Sequence, residues 1–411
     1  MSLLSRMTAP AAGHDVARLV AALLSHETRG TPGELSGRAR SLPPRLPTGP
    51  TGLGTSAARV AVPPPAGDRH QGSRARAPEA PATTSGPSDT AVPELYCPPP
   101  LRDDPALATE VNERLLAWAA ETGIYAGRLE RVRAADFGRL MMLAHPGTDD
   151  PRRLLAAARC ALAEWATDDY YCDDESMGSR PEALGSHLGL AYTAMDPTHP
   201  PLRYAREADQ GLRADPVRVA LRDSFAQLVP YADRTQVTRL RQEVAALFVA
   251  YAQEGAWRAE ERMPAVWEYL AHRQVNSFVP CLALIDVVDG YALTAAEYDD
   301  QRVRRAVALA GTASTLVNDL YSMAKEHDSS GRDFNLPTVV AAEEQCSPRE
   351  AVERSVEIHD ELVRTFEGEA AALTLTGSPA LGRFLAGVWA WLGGNREWHR
   401  GSARYQAASG A

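Results

Sequence analysis

The sequence predicts one all-α domain behind an N-terminal arm that builds no core, and three observations carry this. None of the 27 aromatic residues (7 Phe, 7 Trp and 13 Tyr) falls before Tyr96. Sixteen of the 30 prolines lie within the first 100 residues. From Leu101 onward the apolar residues recur at helical spacing, and alternating β-branched runs bounded by turn residues are absent.

Residues 1–92 form the arm. Without aromatics and rich in Pro and Gly, they cannot offset their ordering entropy by burial, so they are expected to be disordered. Residues 14–26 are the one stretch able to form a short amphipathic helix. The arm carries 10 Arg against 6 acids, a net of +4, so residues 93–411 carry −14 of the chain's −10 total. An acidic body and a short, unclustered basic arm argue against a nucleic-acid partner. Five scattered cysteines without a Cys-x-x-Cys pair fit reduced thiols. The apolar run at 16–24 is interrupted by Arg18 and lacks a small-residue cleavage site. No stretch reaches the roughly 20 apolar residues of a membrane span. A cytoplasmic protein with no membrane partner is expected.

Residues 93–411 form the helical domain. Val244, Leu247, Phe248 and Tyr251 make one amphipathic stripe. Ser347-Pro348-Arg349-Glu350 combines an N-cap, a first-turn Pro and a capping-box Glu; Thr294 to Glu297 repeats the box, and Asp215-Pro216 and Ser378-Pro379 open further helices. No fixed-period repeat is visible. The length suggests roughly ten helices around a central cavity.

Within this domain the densest acidic cluster is Asp168-Asp169-Tyr170-Tyr171-Cys172-Asp173-Asp174-Glu175, at the end of an apolar helical run over 154–165. At about 100° per residue, Asp169 and Asp173 stack, with Asp168 on an adjacent face. Such hard oxygen donors suit Mg²⁺, although a solvated helix end is the alternative. The second constellation stands on a helix starting near Gln301. Asn318, Ser322 and Glu326 sit at i, i+4 and i+8, three oxygen donors on one face of an otherwise apolar stretch. A buried polar ladder without a ligand would be costly. Lys325, beside Glu326, is the only Lys among 43 basic residues, a compact ammonium in a chain that otherwise uses Arg.

An Asp-rich motif followed 150 residues later by Asn-Asp-x-x-x-Ser-x-x-x-Glu resembles the metal-binding pair of class I terpene cyclases. The resemblance implies that fold, with three Mg²⁺ ions gripping a prenyl diphosphate. Arg273, 45 residues before Asn318, occupies the place of that family's diphosphate-sensing Arg, with Asn276 and Ser277 at its helix break and Pro280 as breaker. Arg404 and Tyr405, 86 and 87 residues after Asn318, match its C-terminal Arg-Tyr pair. The motif departs in one respect: it reads Asp-Asp-x-x-x-Asp, because Cys172 stands where Asp-Asp-x-x-Asp has its third acid.

A narrower resemblance covers most of residues 94–408. Leu95-Tyr96-Cys97-Pro98-Pro99, the stretch from Phe137 to Pro146, Ala163-Glu164-Trp165-Ala166 and the stretch from His272 to Phe278 are similar to the bacterial 2-methylisoborneol synthase family. That similarity implies 2-methylgeranyl diphosphate as substrate, supplied by an S-adenosylmethionine-dependent geranyl diphosphate methyltransferase, cyclised and captured by one water. A 2-methylenebornane-forming enzyme or a sesquiterpene cyclase is the alternative, and outside enzymes an acidic helical metal-binding module. Oligomeric state is left open, with a homodimer as the state the class allows.

In this reading Asp168, Asp169 and Asp173 on one wall, and Asn318, Ser322 and Glu326 on the other, hold the metal. Arg273, Lys325, Arg404 and Tyr405 neutralise the leaving diphosphate. Phe278, Trp391 and Trp398 are candidates for a cation-stabilising aromatic wall, with core packing as the alternative. His145 and His272 receive no role.

Overall fold

The signalled helix starts are where the chain turns helical. Ser347 and Thr294 each close a capping box, with Glu350 and Glu297, while Asp215 and Ser378 accept backbone N–H groups ahead of Pro216 and Pro379. Each such cap contributes about 1 kcal/mol. The computed structural model describes residues 92–173, 180–326 and 334–402. The arm, including 14–26, lies outside the described residues.

In chain order the helices are α1 (Pro105–Thr122), α2 (Leu129–Ala135), α3 (Phe137–Ala144), α4 (Pro151–Asp168), α5 (Leu184–Met195), α6 (Leu202–Arg213), α7 (Pro216–Leu228) and α8 (Arg234–Ala259). There follow α9 (Val266–Val275), α10 (Val279–Leu282), α11 (Ile285–Val288), α12 (Ala295–Tyr298), α13 (Gln301–Glu326), α14 (Leu336–Glu344), α15 (Pro348–Thr376) and α16 (Pro379–Gly401). Among the described residues there is no strand, as expected. The sixteen helices among the described residues exceed the expected ten because single-turn pieces such as α10, α11 and α12 split what periodicity runs together. No described helix is long and apolar enough to cross a membrane.

Helix α13 is central, packed against α15 and α16 and met by α9, while α4 packs against α1 and α7. The stripe Val244, Leu247, Phe248 and Tyr251 is buried on α8. Helix α16 crosses α3 at contact distance because Gly394 faces it: a Cβ there would stand 2.6 Å from the Leu143 carbonyl carbon. Leu95 anchors the entering chain, buried in a cluster with Val317, Leu320 and Met323 of α13. These contacts fix α4, α9 and α13 around one cavity.

Candidate active site

The C-terminal end of α4, the middle of α8, the end of α9 and one face of α13 enclose a cavity of ≈ 150 Å³. Asp168 and Glu164 reach it from α4, Arg273 and Asn276 from α9, Ser277 and Phe278 from the segment after α9, and Thr315 and Asn318 from α13. The two walls expected to hold metal therefore face one space.

The acidic motif is not α-helical beyond Asp168. Residues Asp169–Asp173 form a π-helical turn, in which hydrogen bonds run from i+5 to i in place of the α-helical i+4 to i. The expected stacking of Asp169 and Asp173 assumed α-helical geometry, which ends at Asp168; the Asp173 side chain lies outside the described residues. Asp168 lines the cavity. Asp169 accepts the Tyr125 hydroxyl at 2.6 Å, and the Tyr170 oxygen accepts the Tyr125 backbone N–H at 2.7 Å. Tyr171 donates to Asp215 at 2.8 Å, and the Cys172 carbonyl accepts from Arg258 at 2.7 Å. These bonds hold the turn against α7 and α8.

On α13, Asn318 faces the cavity, and its amide nitrogen lies 3.3 Å from His399 Nε2. Ser322 is buried, its hydroxyl 3.4 Å from the Asp319 carbonyl. Asp319, which sequence reasoning passed over, is wholly buried and gathers three partners. It pairs with Arg273 and accepts from the Tyr269 hydroxyl at 2.8 Å and the Leu336 N–H at 3.0 Å; Arg273 Nε also donates to the Tyr269 oxygen at 2.8 Å. Its position next to Asn318 was the only available signal. Arg273 is thus held by the residue next to Asn318. The backbone carries Lys325 and Glu326 on the last turn of α13. Their side chains, that of Asp173, and Arg404 and Tyr405 altogether lie outside the described residues.

The helix break is where the motif places it. Helix α9 ends at Val275, and the chain becomes helical again at Val279. Ser277 Oγ accepts the Val279 N–H at 3.3 Å, and Phe278 N–H donates to Thr315 at 3.3 Å. Gly311 lets this segment lie against α13, since a Cβ there would meet Val279 at 2.5 Å. Asn276 donates to Glu254 at 3.2 Å, and His272 lies 3.3 Å from the same carboxylate. Burial alone would raise Glu254, but the hydrogen bond from His272 and the charges of Arg258 and Arg273 outweigh it and hold this carboxyl well below the usual range. His272 thus has a structural partner. Burial and then Arg102 push His145 down to about 3, which keeps it neutral. Neither histidine gains a catalytic role.

The aromatic wall differs from expectation. Phe278 lines the cavity, and the other lining aromatics are Trp165 of α4, 5.4 Å from it between ring centroids, Tyr251 and Phe334. Trp391 and Trp398 are fully buried behind them; Trp391 packs on Phe278, and Trp398 donates to the Ala135 carbonyl at 2.8 Å. Glu164, one turn before Asp168, was also missed. It is 5% exposed, and burial pushes its carboxyl up to about 8.

The donor set fits a hard divalent cation: carboxylate oxygen from α4 faces amide oxygen from α13, with the Ser322 hydroxyl one turn on. These donors are split between α4 and α13, and no cluster of three acidic, His or Cys side chains suited to a metal forms among the described residues.

A family model described as terpene synthase family 2, C-terminal metal binding, matches residues 159–365. The chain is 41% identical over 359 residues to a 2-methylisoborneol synthase of Streptomyces ambofaciens, covering 87% of this chain and 79% of the relative. The chain belongs to the terpene synthase family. This terpene synthase is also 39% identical over 318 residues to the 2-methylisoborneol synthase of Saccharopolyspora erythraea, covering 76% of this chain and 89% of that one. A crystal structure of 2-methylisoborneol synthase from Streptomyces coelicolor A3(2), in complex with Mg²⁺ and 2-fluoroneryl diphosphate, matches the fold with a TM-score of 0.74. Identity there is 41%, over 78% of this chain and 99% of the other. The terpene synthase described here is therefore an enzyme of class I type, a lyase acting on a prenyl diphosphate, with the class I all-α fold.

Proposed function

We propose that this terpene synthase converts 2-methylgeranyl diphosphate to 2-methylisoborneol in a Mg²⁺-dependent reaction. One observation carries the reading. Asp168, Asn318 and Arg273 line one cavity together with the aromatic side chains Trp165 and Phe278, which supports a leaving-group site adjoining a cation-binding one. The named relatives and the Mg²⁺ and diphosphate analogue bound by the Streptomyces coelicolor enzyme support the substrate and the metal.

Asp168, Asp169 and Asp173 on one wall, and Asn318, Ser322 and Glu326 on the other, would hold Mg²⁺, three ions in all. The metal supplies charge neutralisation for the departing diphosphate. Arg273, Lys325, Arg404 and Tyr405 add donors to the diphosphate oxygens. In the described state Arg273 is paired with Asp319, so an arriving diphosphate competes with Asp319 for the guanidinium, and α9 feels that competition through the break at Asn276 and Ser277. The allylic C–O bond breaks with its electron pair leaving on diphosphate. Trp165 and Phe278 present aromatic faces to the resulting cation, which isomerises, cyclises and takes up one water. Residues 1–92 are read as an arm and 93–411 as the catalytic domain, working in the cytoplasm on a substrate from an S-adenosylmethionine-dependent geranyl diphosphate methyltransferase.

Purified protein with Mg²⁺, given geranyl, 2-methylgeranyl and farnesyl diphosphates separately, tests the reading by identification of the volatiles. 2-Methylisoborneol from the methylated substrate is expected. A dominant sesquiterpene from farnesyl diphosphate, or only hydrocarbons from 2-methylgeranyl diphosphate, would overturn it.

A further inference from the structure

A cavity built for carbocations has little use for an acid, yet this one contains Glu164. The side chain comes from α4 one turn, about 5.4 Å, before Asp168 and thus further from the diphosphate end. It lines the same cavity as Trp165, Phe278 and Cys281 and is 5% exposed. Among the described residues only the Cys281 thiol meets its carboxyl, 4.0 Å from Oε2. No Arg, Lys or His pairs with it there. A buried polar group without partners is costly unless a ligand or water satisfies it.

We infer that Glu164 is the positioning residue for the water that ends the cyclisation, holding that water in the cavity beside the aromatic wall. The inference rests on the alcohol-forming reading above. Burial keeps the carboxyl protonated to about pH 8, so at neutral pH it brings no fixed negative charge that would trap an early cation. Its carbonyl oxygen accepts one hydrogen from the water and aims the oxygen lone pair at the last cation. That lone pair forms the C–O bond. The proton shed by the oxonium passes to an oxygen of the diphosphate released in the first step. Glu164 ends as it began, and no other reactant is consumed.

The test compares the wild type with Glu164→Gln and Glu164→Leu on 2-methylgeranyl diphosphate in H₂¹⁸O, reading the alcohol-to-hydrocarbon ratio, label incorporation and diphosphate release. Circular dichroism confirms that each variant is folded. The wild type should give ¹⁸O-labelled alcohol. Glutamine keeps a carbonyl acceptor and should hold the ratio within about threefold, whereas leucine should lower it about tenfold or more while diphosphate release continues. A labelled alcohol from the wild type and an unchanged ratio in the leucine variant would overturn the assignment and leave the alcohol-forming reading intact. Loss of diphosphate release in both variants would place Glu164 in ionisation and overturn it as well. Hydrocarbons alone from the wild type would overturn the alcohol-forming reading and, with it, this inference.

Discussion

Two buried carboxyl side chains, one on α4 and one on α13, have surroundings that could hardly differ more. Asp319 on α13 is wholly buried and satisfied by Arg273, the Tyr269 hydroxyl and the Leu336 N–H. Glu164 on α4 is almost as buried, but it meets only a thiol and is pushed up to about 8. Burial alone does not decide what a carboxyl does; its partners do. One is part of a fixed ionic assembly that sets where Arg273 rests. The other is a neutral acid with unused hydrogen-bonding capacity inside the reaction cavity.

The largest effect follows from breaking the paired one. Asp319→Asn leaves Arg273 charged and nearly buried, and removal of one partner of a buried pair costs about 3–5 kcal/mol. Urea unfolding should show a loss of that size, with turnover falling as well. A variant as stable as the wild type would mean that the pair contributes nothing to the fold.

One residue away the consequence should invert. Asn318→Ala, or Glu326→Ala, removes a proposed metal ligand that would act only with diphosphate present, so turnover should fall about 100-fold while helicity and melting temperature stay near normal. Chelation by EDTA should abolish turnover in the wild type. Full activity in EDTA would sink the metal assignment, and a large drop in melting temperature for Asn318→Ala would make its role structural.

The unpaired acid makes a prediction in pH. Below about pH 4.5 a glutamic acid is protonated whether the chain is folded or not; above it the unfolded chain ionises freely, while folded Glu164 must stay protonated until about pH 8. Its raised folded value therefore favours the native state at low pH, and that advantage is lost as pH rises from about 4.5 to 8. Glu164→Gln removes the dependence. Relative to the wild type it should gain stability across that window, on the order of 1–3 kcal/mol by pH 8. Denaturant midpoints of both proteins at pH 4, 6 and 8 would measure it, and a constant difference would show that Glu164 ionises as easily folded as unfolded.

How much of this was legible in the sequence follows from local geometry. The Asn318 and Ser322 ladder was readable because α13 is a regular α-helix, where i and i+4 share a face. The break after Arg273 was readable because Pro280 and a polar Asn-Ser pair interrupt a helical run, and α9 does end there. Glu164 and Trp165 were not, since one acid and one aromatic in an apolar run look like any helix edge until the cavity shows which face is inside. Trp391 and Trp398 are candidates for the wall by their spacing, with core packing as the alternative, and core packing is where they stand, because seven-residue spacing identifies a common face and not what that face meets. Asp319 was passed over because it lies beside the ladder instead of on it.

The smallest expected effect concerns the one irregular turn at the site. On α13 the ligands stand on an unbroken helix, whereas on α4 the acidic motif carries one residue more than Asp-Asp-x-x-Asp and continues as a π turn. If the widened turn is what orients the acid at position 173, deleting Cys172 should let the segment relax to an α-helix, swing the following acid around the axis, and take away the carbonyl that Arg258 holds at 2.7 Å. Turnover should fall about tenfold, the scale seen when groups that orient metal ligands are lost. The bond to Arg258 runs through the backbone, so Cys172→Ser keeps both residue count and carbonyl and should work nearly as well as the wild type. Steady-state assays of the two at saturating Mg²⁺ separate the contributions. A fully active deletion would show that the extra residue is idle, and a serine variant as impaired as the deletion would move the importance from the turn to the thiol.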